Sequence, residues 1–426
     1  MPSGSAPATI LTFEEARHLV EEHASRLQPS GTEFVNVLAV AGRVLAEPVL
    51  ADRDIPPFPR STRDGYALRA ADLVELPAKL NVIGEIKAGE SLDRIPSLHT
   101  GQAVAIMTGA PVPDGADAVV MVEFTAREDT RVEIKKSATA GENIVPRGAE
   151  AGQESVLLER GLRLNDAAIA LAASVGKTQL AVHKRPRVAL LTTGDEIVEI
   201  GATPGPTQIR NSNSYSLAVQ VQNAGGEPVL LPIAPDEPKA LRALIEQGLQ
   251  ADLLLMTGGV SMGRYDLVEP VLTEMQAEFF FTGAQIQPGR PVVFGRCGAG
   301  APFDKLRAGS AREPAKYFFG LPGNPISTMV TFELLARPML EALAGQSPRK
   351  LMFLRARLEK EIRIKAGLKR FLPAILSGEF EDCGVELVPW QGSGDIAATA
   401  RANCYIVIPD DREHIAEGEW VAVMMR

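Results

Sequence analysis

The chain has 426 residues, 45% of them hydrophobic, and this length predicts about three domains with packed cores. Its formal net charge of −9 at pH 7 argues against a nucleic-acid surface, because phosphate backbones bind clustered Lys and Arg. No apolar run approaches the roughly 20 residues that span a bilayer, and residues 1–10 contain no secretory signal, so we expect a cytoplasmic protein that is not membrane-bound.

The N-terminal part of the chain predicts two helices. Apolar residues recur at helical spacing over 13–27, with Thr12 as N-cap, and a second helical stretch covers 166–175. We expect these two helices to pack together in a discontinuous helical unit formed by 10–49 and 151–183.

Residues 50–150 differ from their surroundings in composition. They are rich in Gly and Pro and contain short β-type runs at 80–86, 103–107 and 118–122. This pattern predicts a β-rich domain inserted into the helical unit.

Residues 184–346 alternate between apolar runs and helical stretches. The predicted strands are 188–193, 229–233, 252–256, 292–295 and 317–320, and the predicted helices are 211–225, 237–247 and 267–276. The alternation indicates right-handed βαβ units and an α/β domain with a mostly parallel sheet. In such sheets, ligands bind beyond the carboxyl ends of the strands.

Two further segments complete the organisation. Small, polar and turn-forming residues dominate 297–314, which favours a mobile surface loop over a functional lid. Alternating runs at 353–358, 385–388 and 404–408 predict a small C-terminal β-barrel-like domain over 347–426.

Cysteine and histidine give little indication of a site. The three cysteines, Cys297, Cys383 and Cys404, are far apart, odd in number and without zinc-type spacing, so we expect them to be packing residues in a reducing compartment. The five histidines are scattered without ligand-like neighbours, which argues against zinc and histidine catalysis.

Two apolar runs end in the same way, in Thr193-Gly194-Asp195-Glu196 and in Thr257-Gly258-Gly259-Val260-Ser261, with Asp266 shortly after the second. Glycine allows close approach of the main chain to a ligand, amide N–H groups hold anions, and carboxylates hold divalent cations. The pair predicts a metal-assisted site for a phosphorylated ligand, although an Asp-Glu pair after Gly is also a common solvated turn. Neither run matches a P-loop or a dinucleotide fingerprint.

Other polar turns allow more than one interpretation. Asn324 and Pro325 are suited to the N-cap and first position of a helix whose N-terminus either binds an anion or is simply well capped. Asp236 and Asp266 are suited to helix caps. Asp64 and Thr108 lie in stretches that resemble ordinary β-domain turns.

Taken in order, seven motifs resemble those of the MoeA family of molybdopterin molybdenumtransferases, whose eukaryotic relatives include the gephyrin E domain. The motifs are Asp64-Gly-Tyr-Ala, Met107-Thr-Gly-Ala-Pro-Val-Pro, Gly141-Glu-Asn-Ile, Thr193-Gly-Asp-Glu, Thr257-Gly-Gly-Val-Ser-Met-Gly, Gln287-Pro-Gly-Arg-Pro and Gly320-Leu-Pro-Gly-Asn-Pro-Ile-Ser. Each is weak alone, but the ordered set is specific and extends from about residue 10 to the end.

The resemblance implies a homodimer of four-domain subunits with a MogA-like α/β domain. The active site would lie between that domain and the inserted domain of the partner subunit. The implied reaction inserts molybdate into adenylylated molybdopterin and releases AMP with the help of Mg²⁺. The adenylyltransferase of the same pathway and recipient molybdoenzymes are implied partners.

The resemblance also implies roles for individual residues. The implied catalytic residues are Asp64 and Thr108 from the inserted domain, Ser393 from the C-terminal domain, and Glu196, Asp236 and Asp266. The last three are also the implied metal ligands. The implied substrate-binding residues are Gly194, Asp195, Asn211, Ser212, Ser214, Thr257, Gly258, Gly259, Val260, Ser261, Pro288, Gly289, Arg290, Pro291, Pro322, Gly323, Asn324, Pro325, Ser327, Lys369 and Arg370.

The chain departs from the family pattern at its basic residues. Arg290 replaces the commoner Lys, Gly283 lies where a basic residue is usual, and Leu368 lies where the family tends to have Arg. Tetrahedral oxyanions need such donors, so we expect Arg290 with Lys369 or Arg370 to compensate.

Two other functions fit the same resemblance. One is molybdopterin adenylyltransferase, because the MogA-like domain serves that step in a sister family, and the other is a non-catalytic gephyrin-like scaffold. The complete set of domains and the retained acidic residues favour the insertase. The sequence does not choose between molybdate and tungstate.

Overall fold

The computed structural model describes residues 9–259, 266–298, 315–347 and 349–426. Its α-helices are Phe13–Ala24, Asp166–Ser174, Asn213–Asn223, Pro238–Gly248, Val268–Glu274, Pro325–Thr331, Arg337–Leu343 and Ile396–Arg401. The predicted loop at 297–314 lies almost entirely outside the described residues.

A six-stranded sheet forms the centre of the α/β domain, and its mostly parallel character confirms the prediction. In spatial order its strands are Glu227–Leu230, Arg187–Thr192, Leu253–Thr257, Lys316–Leu321, Val293–Cys297 and Glu278–Phe281. The first four are paired in parallel, and the last two are added at one edge by antiparallel pairing, each with the strand before it.

Both faces of this sheet are covered, which explains why its strands are continuously apolar. Along Arg187–Thr192, Val188 and Leu190 belong to one hydrophobic core, while Ala189 and Leu191 belong to a second core on the other face. Because side chains of a strand alternate between faces, an uninterrupted apolar run is needed to fill both cores.

The helix Phe13–Ala24 begins with a capping box in which Thr12 and Glu15 satisfy each other's backbone N–H groups. Its apolar side joins the α/β core and packs against Arg337–Leu343. The helix Asp166–Ser174 instead contributes to a separate core with Val40 and Leu45. The prediction that the two helices pack together was wrong, because helical spacing identifies an apolar side but not its partner.

The inserted part of the chain forms a second six-stranded sheet, with a hydrophobic cluster on each face. Its strands in spatial order are Ala118–Met121, Gly65–Leu68, Gln102–Ile106, Ala78–Ile86, Arg131–Ile134 and Thr125–Glu128. Three short strand pairs join segments that precede this sheet in the chain to segments that follow it. They are Arg60–Ser61 with Ile144–Val145, Val49–Leu50 with Val156–Leu158, and Thr32–Asn36 with Gln179–His183.

The C-terminal strands close into a five-stranded barrel, which confirms the barrel-like prediction. In order around the barrel they are Lys369–Ser377, Gly384–Leu387, Leu354–Leu358, Trp420–Met425 and Cys404–Ile408, and the last pairs again with the first. Cys404 is buried here and Cys297 is buried in the α/β domain, and burial raises the pKa of each thiol to about 11. Such thiols are protonated at neutral pH and suit packing.

Within the described ranges, no helix combines the length and apolar character that crossing a membrane requires.

A π-helical turn at Phe332–Ala336 interrupts the long helical stretch that ends at Leu343. The buried Arg17 side chain donates from Nη1 to Leu334 O at 2.6 Å and from Nη2 to Arg349 O at 3.3 Å, while its Nε bonds Glu21 Oε1 at 2.5 Å. Arg17 therefore supplies a partner to a carbonyl in the irregular turn.

We predict that Arg17→Met lowers the free energy of unfolding by about 1–3 kcal/mol, because it leaves a buried carbonyl without its donor. Urea unfolding followed by circular dichroism measures this change. The matched control is Arg26→Met, which removes an exposed arginine just beyond the end of the same helix, where it pairs with Glu22, and should cost below about 0.5 kcal/mol. Equal losses in the two variants would contradict the role given to Arg17.

Candidate functional site

The two Thr-Gly endings that the sequence pairs lie side by side. In the parallel register Thr192 is opposite Thr257, and Thr257 is opposite Leu321 at the end of the next strand. The Thr193 N–H donates to Thr257 O at 3.0 Å, and the Gly258 N–H donates to Leu321 O at 3.3 Å. Three strand ends therefore form one edge, as expected for a parallel sheet.

A cavity of about 580 Å³ opens at this edge. Its lining residues are Thr192, Thr193, Glu196, Ile197, Ile209, Arg210, Asn211, Ser212, Asn213, Thr257, Gly258, Gly259, Pro291, Pro322, Gly323, Asn324, Pro325, Gly394 and Ile396. The predicted Val260 and Ser261 lie outside the described residues. The cavity combines the strand ends, a helix N-terminus and part of the C-terminal domain in one concave surface.

Two glycines are required where the strands end. Gly258 has φ of +85°, and a Cβ there would lie 2.6 Å from Thr193 O. Gly194 has φ of +137°, and a Cβ there would lie 2.6 Å from Glu196 Oε2. A side chain at either position would separate the two strand ends or displace the Glu196 carboxylate.

A buried polar network lies under the cavity. Thr192 Oγ1 is 2.8 Å from Ser214 Oγ, 3.0 Å from Thr257 Oγ1 and 3.4 Å from Asn211 Oδ1. Asn211 Oδ1 also accepts from the Ser214 N–H at 3.1 Å. Asn211, Ser214 and Thr257, predicted as substrate contacts, are therefore linked through Thr192, and Ser214 does not line the cavity.

The sequence analysis missed several cavity residues, among them the buried polar residues Thr192 and Asn213. Thr192 is the centre of the buried network, and the available signal was a hydroxyl in an otherwise apolar run. Asn213 is only 8% exposed, and its Nδ2 donates to Gly323 O at 2.7 Å. Its signal was its position in the polar stretch 211–214, whose other three residues are predicted ligand contacts.

The carboxylates lie at different positions around this edge. Glu196 lines the cavity and is exposed. Asp236 comes after the neighbouring strand Glu227–Leu230. Its N–H donates to Asp195 Oδ1 at 3.0 Å, and its Oδ1 lies 3.5 Å from Thr193 Oγ1. Asp195 thus fixes the backbone of Asp236 and does not line the cavity.

The alternative assignment of Asp236 and Asp266 as helix caps was wrong. Glu237 caps the helix Pro238–Gly248 by accepting from the Lys239 and Ala240 N–H groups. Leu267 precedes the helix Val268–Glu274, which has no side-chain cap. Helix boundaries read from a sequence are uncertain by one or two positions, and at Asp236 the adjacent Glu237 is an equally suitable cap.

The three predicted metal ligands are not assembled into a binding cluster. Among the described residues, no group of three or more His, Cys, Asp or Glu side chains is placed to hold a metal ion. The carboxylates nevertheless have the chemistry that Mg²⁺ prefers, and this ion commonly takes one or two protein carboxylates together with phosphate oxygens of a ligand.

The C-terminal domain lines the cavity with Gly394 and Ile396, and the neighbouring Ser393 contacts the helix at its edge. The Ile326 N–H, in the first turn of the helix Pro325–Thr331, donates to Ser393 O at 3.0 Å. Pro325 occupies the predicted first helical position, whereas the Asn324 side chain makes no capping hydrogen bond. One N–H of this helix N-terminus is therefore satisfied by the C-terminal domain.

The turn at 288–291 packs closely on the same helix. A Cβ at Gly289 would lie 2.4 Å from Thr331 Cγ2 and 3.7 Å from Ser327 O, so the turn requires glycine. Pro288 and Gly289 are buried, Pro291 lines the cavity, and Arg290 is exposed. Within the described ranges, the Arg290 guanidinium has no hydrogen-bond or salt-bridge partner.

The other two predicted basic donors are already engaged. Lys369 pairs with Glu14 and lies 5.1 Å from the centre of the Phe13 ring. Arg370 is buried and donates from Nε to Gln287 Oε1 at 2.8 Å, and burial lowers its pKa. Gln287 and Arg370 are opposite each other in adjacent strands, and Lys369 precedes Arg370. Arg290 follows Gln287 by three residues, so all three basic residues lie in one region.

Asp64 and Thr108 lie together on the inserted sheet, away from the cavity lining. Asp64 Oδ1 accepts from the Thr108 N–H at 2.6 Å and from Thr108 Oγ1 at 2.8 Å. These hydrogen bonds, first from the backbone and then from the side chain, hold the pKa of Asp64 below its usual value. The pair presents an ionised carboxylate on an exposed surface.

Three family models match successive parts of the chain. A model of the MoeA N-terminal region (domain I and II) matches residues 11–176, a model of a probable molybdopterin binding domain matches 189–342, and a model of the MoeA C-terminal region (domain IV) matches 355–425.

Relatives match over nearly the whole chain. Molybdopterin molybdenumtransferase from Nostoc sp. is 34% identical and covers 92% of this chain and 88% of its own length. The protein of the same name from Haemophilus influenzae is 32% identical over 97% of this chain and 98% of its own length. The crystal structure of a molybdopterin biosynthesis MoeA protein from Pyrococcus horikoshii OT3 is 27% identical, covers 98% of this chain and 100% of its own, and has a TM-score of 0.77. The chain belongs to the MoeA family of molybdopterin molybdenumtransferases.

Proposed function

We propose that this protein inserts molybdate into adenylylated molybdopterin, releases AMP, requires Mg²⁺ and acts in the cytoplasm. The observation that carries the proposal is the cavity of about 580 Å³ at three adjacent strand ends, with Glu196 in its lining. Relatives named for this transfer match over nearly the whole chain. A cavity of this size suits a ligand with heterocyclic and phosphate parts.

Mg²⁺ is proposed to be held by Glu196, Asp236 and Asp266 together with phosphate oxygens of the substrate. Mg²⁺ commonly takes one or two protein carboxylates together with phosphate oxygens of its ligand. When bound, the ion would neutralise phosphate charge during cleavage of the phosphoanhydride. Asp195 Oδ1 accepts a hydrogen bond from the Asp236 N–H, and Asp195 is therefore proposed to position Asp236.

Molybdate is proposed to bind near Arg290. Its guanidinium is exposed and unpaired among the described residues, while Pro291 next to it lines the cavity. A planar guanidinium offers two parallel N–H groups to an oxyanion. Lys369 would join only after leaving Glu14, and Arg370 is proposed to hold the turn through Gln287.

The active site is proposed to be shared between the two subunits of a homodimer. Asp64 and Thr108 do not line the cavity of their own chain, so a partner subunit would supply them. Ser393 would act from the same chain, because its carbonyl accepts from the helix at the cavity. The adenylyltransferase of the pathway would supply the substrate, and recipient molybdoenzymes would take the product.

The proposed activity is tested with purified protein, adenylylated molybdopterin, molybdate and Mg²⁺. We expect AMP release together with reconstitution of a molybdoenzyme. Formation of adenylylated molybdopterin from ATP and molybdopterin, without insertion, would instead identify an adenylyltransferase.

In this assay Glu196→Gln should lower turnover by about tenfold or more and raise the Mg²⁺ concentration needed for half-maximal rate, because it removes a carboxylate ligand. Glu199→Gln, a change three residues further along, is the matched control and should behave as wild type. Normal turnover and Mg²⁺ dependence in Glu196→Gln would reject the metal role.

Arg290→Ala should raise the KM for molybdate roughly tenfold, because the oxyanion loses a charged donor pair. Arg290→Lys keeps the charge without the planar guanidinium, so its KM for molybdate should lie between those of the wild type and Arg290→Ala. Cofactor formation is measured at limiting molybdate, and an Arg290→Ala enzyme with wild-type activity there would rule out this oxyanion site.

A shared site predicts complementation between inactive subunits. Asp64→Ala and Glu196→Gln chains, unfolded and refolded as an equal mixture, should recover about a quarter of wild-type activity, because half of the dimers are mixed and each has one intact site. A mixture of Asp64→Ala with Thr108→Ala is the control and should stay inactive. Equal inactivity of both mixtures would place the whole site within one chain.

A further inference from the structure

One residue that lines the cavity has a buried side-chain oxygen without a hydrogen-bond partner. In the described part of the chain, three buried side-chain polar atoms make no hydrogen bond, namely His183 Nδ1, Asn213 Oδ1 and Gln220 Oε1. Of these three residues, only Asn213 lines the cavity at the strand ends. A buried acceptor without a donor costs free energy, which a suitable ligand group would recover.

The orientation of this amide follows from its other contact. Asn213 Nδ2 lies 2.7 Å from Gly323 O, and a carbonyl oxygen only accepts hydrogen bonds. The nitrogen must therefore face Gly323, which leaves Oδ1 as the group without a partner. Because Asn213 is in the first turn of the helix Asn213–Asn223 and is 8% exposed, packing restricts the side chain further.

We propose that Asn213 Oδ1 accepts a hydrogen bond from the exocyclic amino group of a heteroaromatic ring, which makes Asn213 a specificity-determining residue of this site. The proposal rests on the proposed function, whose substrate contains two such rings, pterin and adenine. An amide oxygen attracts an amino group and repels a ring carbonyl at the same position. The site would therefore reject the oxo analogue of the ring it holds.

The experiment measures binding by calorimetry in the presence of Mg²⁺ for two matched ligand pairs. AMP is compared with inosine monophosphate, and pterin is compared with lumazine, since an oxo group replaces the amino group in the second member of each pair. We expect the wild type to prefer the amino compound in one pair by roughly 5- to 30-fold. The pair that shows the preference identifies which ring Asn213 holds.

Three variants separate recognition from folding. Asn213→Leu should abolish the preference, whereas Asn213→Asp keeps an acceptor and should retain it even if overall affinity falls. Gln220→Leu is the matched control, because it removes another unpaired buried amide oxygen, from a residue that does not line the cavity, and should leave the preference unchanged.

Two results would overturn the inference while leaving the proposed function intact. One is equal binding of both members of each pair by the wild type, and the other is an Asn213→Leu variant with the wild-type preference. Failure of the wild type to bind any of the four compounds would overturn the proposed function as well.

Discussion

The parallel register of three strands is the constraint on which the site depends. Thr192, Thr257 and Leu321 are adjacent at the ends of their strands, and the hydroxyl of Thr192 lies within hydrogen-bonding distance of both Thr257 and Ser214. A slip of one residue would move the hydroxyl to the opposite face and bury it among apolar side chains. The network therefore fixes the register and the cavity floor together, since each buried polar group has its partner only in this alignment.

The surrounding domains add to the cavity from fixed positions. The C-terminal barrel contacts the α/β domain at Ser393, whose carbonyl receives the Ile326 N–H, and at Arg370, which binds Gln287. One contact is next to the cavity residue Pro325, and the other is in the segment that leads to the cavity residue Pro291. A shift of the barrel would change both the first turn of the helix and the turn that presents Arg290.

The sequence predicted the sheet well because burial on both faces leaves a local signal. The run at 188–193 differs from the observed strand Arg187–Thr192 by one residue at each end. The pairing of helices was not predictable in the same way, since Phe13–Ala24 and Asp166–Ser174 both have apolar sides and only the tertiary cores assign them to different partners. The sequence predicted the site mainly as a set of motifs. Only the three-dimensional structure separates the residues that line the cavity from those that hold the lining residues in place. Ser214 and Asp195 illustrate this, because the Ser214 hydroxyl bonds Thr192 and the Asp195 carboxylate accepts from the Asp236 N–H.

The acidic chain is compatible with an anionic ligand because its charges are spatially separated. Asp64 is held ionised by Thr108 on the inserted sheet, outside the cavity lining, and Arg290 is the exposed cation beside Pro291. Of the described residues that line the cavity, Glu196 is the only acidic one, so repulsion of phosphate by them depends on one carboxylate that a divalent cation can neutralise. If the partner subunit brings Asp64 to the same edge, it adds a second carboxylate only when the dimer is assembled. Assembly would then increase the affinity for a cation in the same step that completes the site.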